Sequence, residues 1–205
     1  MFPSNKILIK RTFDIVGSLG GLIALSPLFL GISILLSIKE PHSPIFFRQK
    51  RVGRFGKPFY IIKFTTMRRE EGNKQAANNI TISNDERFTT TGAILSKYKL
   101  NELPQLWNVL KGEMSFVGPR PDVEGYADKL SGEDRNILLL KPGITGPATL
   151  KYRNEEELLA QQDNPLKYND EVIWPDKVKI NLDYFYNQSF ARDLKIIFKT
   201  IFSRD

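Results

Sequence analysis

The side chains best suited to chemistry lie in one stretch, residues 101–121, NELPQLWNVLKGEMSFVGPRP. Asn101 is a good helix N-cap, and Glu102, Leu103 and Pro104 then fall in the first turn, where a missing N–H is harmless. Leu103, Leu106, Trp107 and Leu110 recur at helical spacing, and Gly112 follows as a C′ stop. The helix thus offers the Glu102 carboxylate at its positive end, and the exit loop holds Arg120 between Pro119 and Pro121. A carboxylate and an arginine brought together by a cap and a proline-framed turn suit work on a phosphate. The same spacing equally describes an ordinary amphipathic helix with a tight exit loop.

Other chemistries are closed off by composition. With no cysteine, disulfides, thiolate metal sites and cysteine nucleophiles are excluded. The one histidine, His42, lies in a loop between Pro41 and Pro44, so acid–base work falls to carboxylates, lysine or tyrosine. Lys63 sits among apolar neighbours in a β-prone run and needs a partner; such a lysine is commonly structural, and an anionic ligand would serve as well. In residues 141–153, KPGITGPATLKYR, two Pro/Gly pairs mark tight turns, and exposed N–H groups there, with Thr145 and Lys141, could cradle an anion. Such loops are also commonly plain turns.

The elements that position these groups start with an apolar segment. In a 205-residue chain of net charge +7, residues 1–69 carry twelve Lys and Arg against Asp14 and Glu40, or +10; the remainder is −3. From residue 15 to residue 38 no side chain is charged, and this length passes the roughly 20 residues that span a bilayer core. Ser26-Pro27 interrupts it: the proline predicts a kink, and the serine can bond a freed carbonyl. Both flanks are basic, so no Lys/Arg asymmetry marks two sides. A helix–break–helix hairpin that dips into the membrane and returns to the same face resolves this; a kinked single span is the alternative. Polybasic sequence beside it is attracted to anionic lipids at roughly 1 kcal/mol per charge. Because the basic groups crowd the membrane edge, a nucleic-acid partner is not expected.

After this segment (residues 1–40) the remainder, 41–205, reads as one membrane-associated domain. Residues 45–52 and 58–66 flank a Gly-containing turn and predict a β-hairpin. Residues 68–90 read as a polar loop with room for one short helix, and 91–100 as an amphipathic helix. Further helices are predicted from 122 to 140 and over 154–167. From 174 to 202 aromatics interleave with lysines, which suits either an interfacial helix or a core helix with a basic face.

Taken together, these residues resemble the bacterial sugar transferase family, the small monotopic phosphoglycosyl transferases. The likeness covers nearly the whole chain: Lys10-Arg11-x-Phe13-Asp14, Ser26-Pro27, Gln49-x-Arg51-x-Gly53-x-x-Gly56 and Lys63-Phe64-x-Thr66-Met67, then residues 102–112, residues 114–121, and Pro142-Gly143-Ile144-Thr145-Gly146. The resemblance implies an α+β, mostly helical fold with a re-entrant membrane helix, a small antiparallel β-hairpin and amphipathic interfacial helices. It implies a Mg²⁺-dependent enzyme on the cytoplasmic face of the bacterial inner membrane. Such an enzyme moves a sugar 1-phosphate from a UDP-sugar to undecaprenyl phosphate through a covalent phospho-sugar intermediate and releases UMP. A homodimer is compatible with it. The family's Asp-Glu pair maps to Asn101 and Glu102, the expected catalytic and metal-binding positions; Lys63, Pro119, Arg120, Lys141 and Thr145 are the expected substrate-binding residues. Asn101 departs from the family's nucleophilic aspartate, since an amide is uncharged and a poor nucleophile. Thr65 departs from its usual basic residue. The Asn101 departure leaves a non-catalytic scaffold or regulator as the rival function.

Overall fold

The computed structural model describes residues 4–68 and 87–202, so most of the polar loop expected over 68–90 lies outside the described residues. Helix α1 (Ser4–Ala24) and helix α2 (Ser26–Lys39) meet at Leu25 with a bend of 57°. Pro27 falls in the first turn of α2, where it breaks no interior bond, and Ser26 Oγ donates to the Ile23 carbonyl at 2.8 Å. The backbone ladder is only locally disturbed, with Leu25 N–H still bonded to Gly21 O and Phe29 N–H to Leu25 O. The pair is therefore an open V rather than a folded-back hairpin. No single described helix is long and apolar enough to cross a membrane.

The first half of α1 is built into the rest of the molecule. Arg11 donates to the carbonyls of Val109 and Leu110, at 2.7 Å each, and so caps the C-terminus of helix α4 (Gln105–Lys111). Asp14, buried, accepts from Ser115 Oγ and Phe116 N–H through Oδ1. Phe13 lies edge-on to Phe116 and Phe190. The Lys-Arg-x-Phe-Asp signature is thus the joint between α1 and the polar body.

Strands β1 (Phe46–Val52) and β2 (Pro58–Phe64) form the expected antiparallel hairpin, with Val52 opposite Pro58 and Phe47 opposite Lys63. Its turn needs left-handed backbone at Phe55 (φ 62°) and Gly56 (φ 74°). Helix α3 (Thr90–Lys97) is capped by Thr89 Oγ1, which accepts from Gly92 N–H. Two residues past its end, the left-handed Lys99 redirects the chain into a 3₁₀ turn, Leu100–Glu102. Asn101 therefore caps no helix; α4 begins only at Gln105, and Pro104 occupies the position before it. Gly112 does end α4, at φ 89°.

Strand β3 (Ser115–Val117) pairs in parallel with β4 (Gly143–Thr145), where only turns were expected. The close approach rests on glycines: a Cβ on Gly143 would lie 2.2 Å from Gly118 N. Between these strands the expected helix is instead two 3₁₀ segments, Ala127–Lys129 and Gly132–Leu139. Short helices α5 (Pro147–Lys151), α6 (Glu155–Ala160) and α7 (Pro165–Tyr168) follow, and a π-helical turn leads into α8 (Trp174–Tyr186). The run expected as one helix from 174 to 202 breaks after α8 and resumes as α9 (Phe190–Phe202). Helix α8 buries Val178, Asn181 and Tyr184, whereas α9 leaves Phe190, Leu194, Phe198, Ile201 and Phe202 exposed at helical spacing.

The two sheets and α4 share one core, with Ile61, Val109 and Met114 packed together. Asn108, fully buried, sits between them. Its Oδ1 accepts from Ile62 N–H at 3.1 Å, and its Nδ2 donates to Tyr60 O at 2.8 Å and Glu113 Oε2 at 2.7 Å. All the polar atoms of that amide face are used, and they fix α4 against β2. The fold is α+β and mostly helical.

Candidate active site

The left-handed turn at Lys99 aims the 3₁₀ segment so that Asn101 points inward, 8% exposed, and Glu102 faces β2. Lys63 projects from β2 and places Nζ 3.2 Å from Glu102 Oε1. Arg120, carried by the Pro119–Pro121 turn, donates through Nη2 to Oε1 at 2.7 Å and through Nη1 to Oε2 at 3.4 Å. Three of the residues singled out in the sequence, Lys63, Glu102 and Arg120, therefore form one cluster, with Asn101 next in the chain.

Two further groups complete it. Arg51 on β1 donates through Nη2 to Gln49 Oε1 at 2.6 Å, while its Nε is buried with no hydrogen-bond partner. Asp122 follows the Arg120 turn and interacts electrostatically with Arg51, Arg120 and Lys177. Neither was assigned a role from sequence, although Arg51 stands inside the Gln-x-Arg-x-Gly motif. Arg51 reaches the site through long-range contacts with the 120–122 turn, which no local pattern in the chain signals.

The cluster is overloaded with positive charge. Burial works to raise the Glu102 carboxyl, but the charges of Arg120 and Lys63 outweigh it and hold the group well below the usual carboxylate range. Glu102 in turn holds the Arg120 guanidinium above its ordinary value. Lys63 moves the other way: burial, joined by the like charges of Arg120 and Arg51, depresses its ammonium despite Glu102. Arg120 claims the carboxylate, and Lys63 is the loose member of the triad. Burial, helped by Arg120, brings Arg51 down to about 10, and burial also pushes Asp122 up to about 6. Three cations, Lys63, Arg51 and Arg120, thus face the firmly ionised Glu102 and the weaker acid Asp122, which leaves one positive charge in excess at neutral pH and two below about pH 6. Such an arrangement lacks an anion.

Pro119, Arg120 and Asp122 line a small cleft of about 30 Å³, together with Trp174 and with Asn181, whose Oδ1 is buried without a hydrogen-bond partner. The other two sequence candidates lie elsewhere. Thr145 is buried on β4 and its hydroxyl is 2.7 Å from Thr200 Oγ1 on α9. Lys141 lines a separate cavity beside α1. The loop cradle expected from Lys141 and Thr145 is not formed.

For a divalent cation the donors are few. Among the described residues no three His, Cys, Asp or Glu side chains cluster. What is present is the Glu102 carboxylate, whose oxygens accept from Arg120 and Lys63, and the buried, unpaired Oδ1 of Asn101, the preceding residue in the chain. Magnesium usually binds through one or two carboxylates plus substrate phosphates and water, so this donor pair fits a metal that arrives with a phosphorylated substrate.

Comparison with known proteins adds the family. The profile described as "Bacterial sugar transferase" matches residues 5–204. The chain belongs to the bacterial sugar transferase family. Among its relatives is the uncharacterized sugar transferase EpsL of Bacillus subtilis (strain 168), 35% identical over 195 residues, covering 95% of this chain and 86% of the relative. The exopolysaccharide production protein ExoY of Rhizobium meliloti (strain 1021) is 34% identical over 206 residues, or 94% and 83% of the two chains. The UDP-glucose:undecaprenyl-phosphate glucose-1-phosphate transferase of Escherichia coli (strain K12) is 34% identical over 199 residues. That alignment takes in 95% of this transferase-family chain but only 40% of the longer relative.

Proposed function

We propose that this framework transfers a sugar 1-phosphate from a UDP-sugar to undecaprenyl phosphate, releasing UMP. The observation that carries the proposal is the Lys63–Glu102–Arg120 cluster with Arg51 beside it, an anion-seeking site in the fold of a sugar transferase. A nucleoside diphosphate sugar brings the negative charge that these cations lack. Arg120 and Lys63 would hold the diphosphate, and charge developing on the departing UMP would be stabilised by groups already in place. Mg²⁺, when bound at Glu102 and the side chain of residue 101, would add charge screening at the diphosphate.

In the covalent route the carboxylate oxygen of an aspartate at position 101 attacks the sugar-linked phosphorus. The bond to the UMP oxygen breaks, and UMP leaves with its electron pair. An oxygen of undecaprenyl phosphate then attacks the same phosphorus and frees the carboxylate. Asn101 cannot form that acyl phosphate, so the amide supports a second reading, a chain that keeps the transferase framework without turning over. Intact mass separates the two. Protein carrying Asn101→Asp gains the mass of a sugar phosphate on incubation with its UDP-sugar and Mg²⁺, and the Asn101 chain gains none. A gain mapped to Glu102 would show that the neighbouring carboxylate is the nucleophile instead.

The same proposal places the chain on the cytoplasmic face of the bacterial inner membrane. The uncharged arm of α1 and that of α2 measure about 15 and 20 Å at 1.5 Å per residue, each short of the ~30 Å core. An open V of this size, with basic groups at both ends, enters from one side and returns to it. It keeps the 101–102 turn near the headgroups, where a polyprenyl phosphate presents its charge.

A further inference from the structure

A second cavity, of about 90 Å³, lies between α1, the start of α9 and the residues just before β4. It adjoins the C-terminal end of α4, roughly 10 Å of helix away from the Glu102 end, and it has room for a group several waters in size. Lys10, Arg11, Arg54 and Lys141 line it. Three of these cations are engaged. Lys10 donates to Asp193 Oδ2 at 2.6 Å, Arg11 to the end of α4, and Arg54 Nε to Leu139 O at 2.8 Å.

Lys141 is the exception. Among the described residues its Nζ has no hydrogen-bond or ion-pair partner, although the side chain is half-buried. Burial first, and then the neighbouring Arg11 charge, depress its ammonium. Of the two carboxylates in the wall, Asp193 is bonded by Lys10 and Tyr184, while Asp14 accepts from Ser115 and Phe116 and attracts Lys10 and Lys141 without a hydrogen bond to either. The cavity therefore carries two uncompensated positive charges. Gln188 and Ser189 add two neutral polar groups, and the remaining lining is apolar, including Ile7 and Phe190, which continue into the exposed stripes of α1 and α9. A cationic floor with an apolar rim matches an amphiphile better than a soluble ion.

We propose that this cavity binds the phosphodiester headgroup of an anionic membrane phospholipid, with Lys141 as its charge partner and the acyl chains lying along α1 and α9. The proposal rests on the membrane placement given above. Occupied in this way, the joint between α1 and the body would be completed by lipid, and the membrane helix would be held in register with the active site.

The test is native mass spectrometry of the full chain in detergent, titrated with phosphatidylglycerol, phosphatidylcholine or inorganic phosphate. One phosphatidylglycerol per chain is expected to be retained in preference to phosphatidylcholine. Lys141→Gln should weaken that retention by roughly fivefold, the worth of one charge near a lipid surface. Lys141→Arg should keep it, and Lys179→Gln, the same charge change at an exposed site on α8, should leave it unaltered. Equal losses in Lys141→Gln and Lys179→Gln, equal retention of both lipids, or displacement of phosphatidylglycerol by inorganic phosphate would overturn the site. Flotation with neutral phosphatidylcholine vesicles reads the membrane placement separately. A chain that floats without lipid preference loses only the headgroup site; one that does not float loses both.

Discussion

Replacing Glu102 with glutamine removes the one charge that holds Lys63 and Arg120 together. The Glu102 side chain is 12% exposed and that of Lys63 17%, but Arg120 is 45% exposed, so water can take up part of what Arg120 loses. Breaking a buried ion pair by removing one partner costs about 3–5 kcal/mol, and screening at Arg120 brings the expectation to about 2–3 kcal/mol. For a domain of this size that is a fall in Tm of roughly 5–10 °C. The sign with pH follows from the depressed carboxyl. Glu102 contributes its full stability above its unfolded pKa of about 4.3, and loses it as pH falls from there towards the lower native value. Thermal melts followed by circular dichroism in detergent should therefore show a wide gap between the native chain and Glu102→Gln at pH 7 that narrows below pH 4. Added salt should narrow it less than it would for a surface pair. A Glu102→Gln protein as stable as the native one at pH 7, or a gap that does not change with pH, would refute the charge-sharing geometry.

Asp122 should behave in the opposite sense. Its native pKa of about 6 lies above the unfolded value, so its ionisation costs stability as pH rises through roughly 4–6; Asp122→Asn should raise Tm at pH 7.5 and leave it unchanged near pH 3.5. Asn108→Ala strands the Ile62 N–H and the Tyr60 carbonyl, and at about 1–3 kcal/mol for each buried unsatisfied group it should lower Tm by roughly 5–15 °C. If the change is tolerated without loss, α4 is not fixed to β2 through this amide. Single cysteines placed at the two ends of residues 12–40 should both react with a membrane-impermeant thiol reagent from the cytoplasmic side only; labelling from opposite sides would replace the open V with a bent span.

How much of this was legible in the chain differs residue by residue. Lys63 declared itself as a lysine among apolar strand residues, and a partner was required of it; Glu102 is that partner. Arg120 was visible because prolines on both sides hold it. Asn101 has the composition of a cap, an Asn before a proline-containing first turn, but caps no helix. The left-handed Lys99, which no residue preference marks, shifts the start of α4 to Gln105. The β3–β4 pair was invisible because three-residue strands carry no periodicity, and their approach depends on Gly118 and Gly143 meeting across the fold. Thr145 and Lys141 share a Pro/Gly-rich stretch, which by itself suggests one anion cradle. The parallel pairing of β4 turns Thr145 towards α9 and leaves Lys141 beside α1. Arg51 acquires its importance only through burial against the 119–122 turn, a long-range consequence that spacing cannot carry. The break between α8 and α9 falls at Asn187, Gln188 and Ser189, a polar step hidden inside a long aromatic pattern.

UMP release tests the transferase assignment most directly. Purified protein with Asn101→Asp, given undecaprenyl phosphate, Mg²⁺ and a panel of UDP-sugars, is expected to release UMP with at least one donor. The chain bearing Asn101 and an Asn101→Asp/Glu102→Gln double variant are expected to release none above background. No UMP from the Asn101→Asp protein across the whole panel, in a preparation that melts like the native chain, would contradict the transferase assignment.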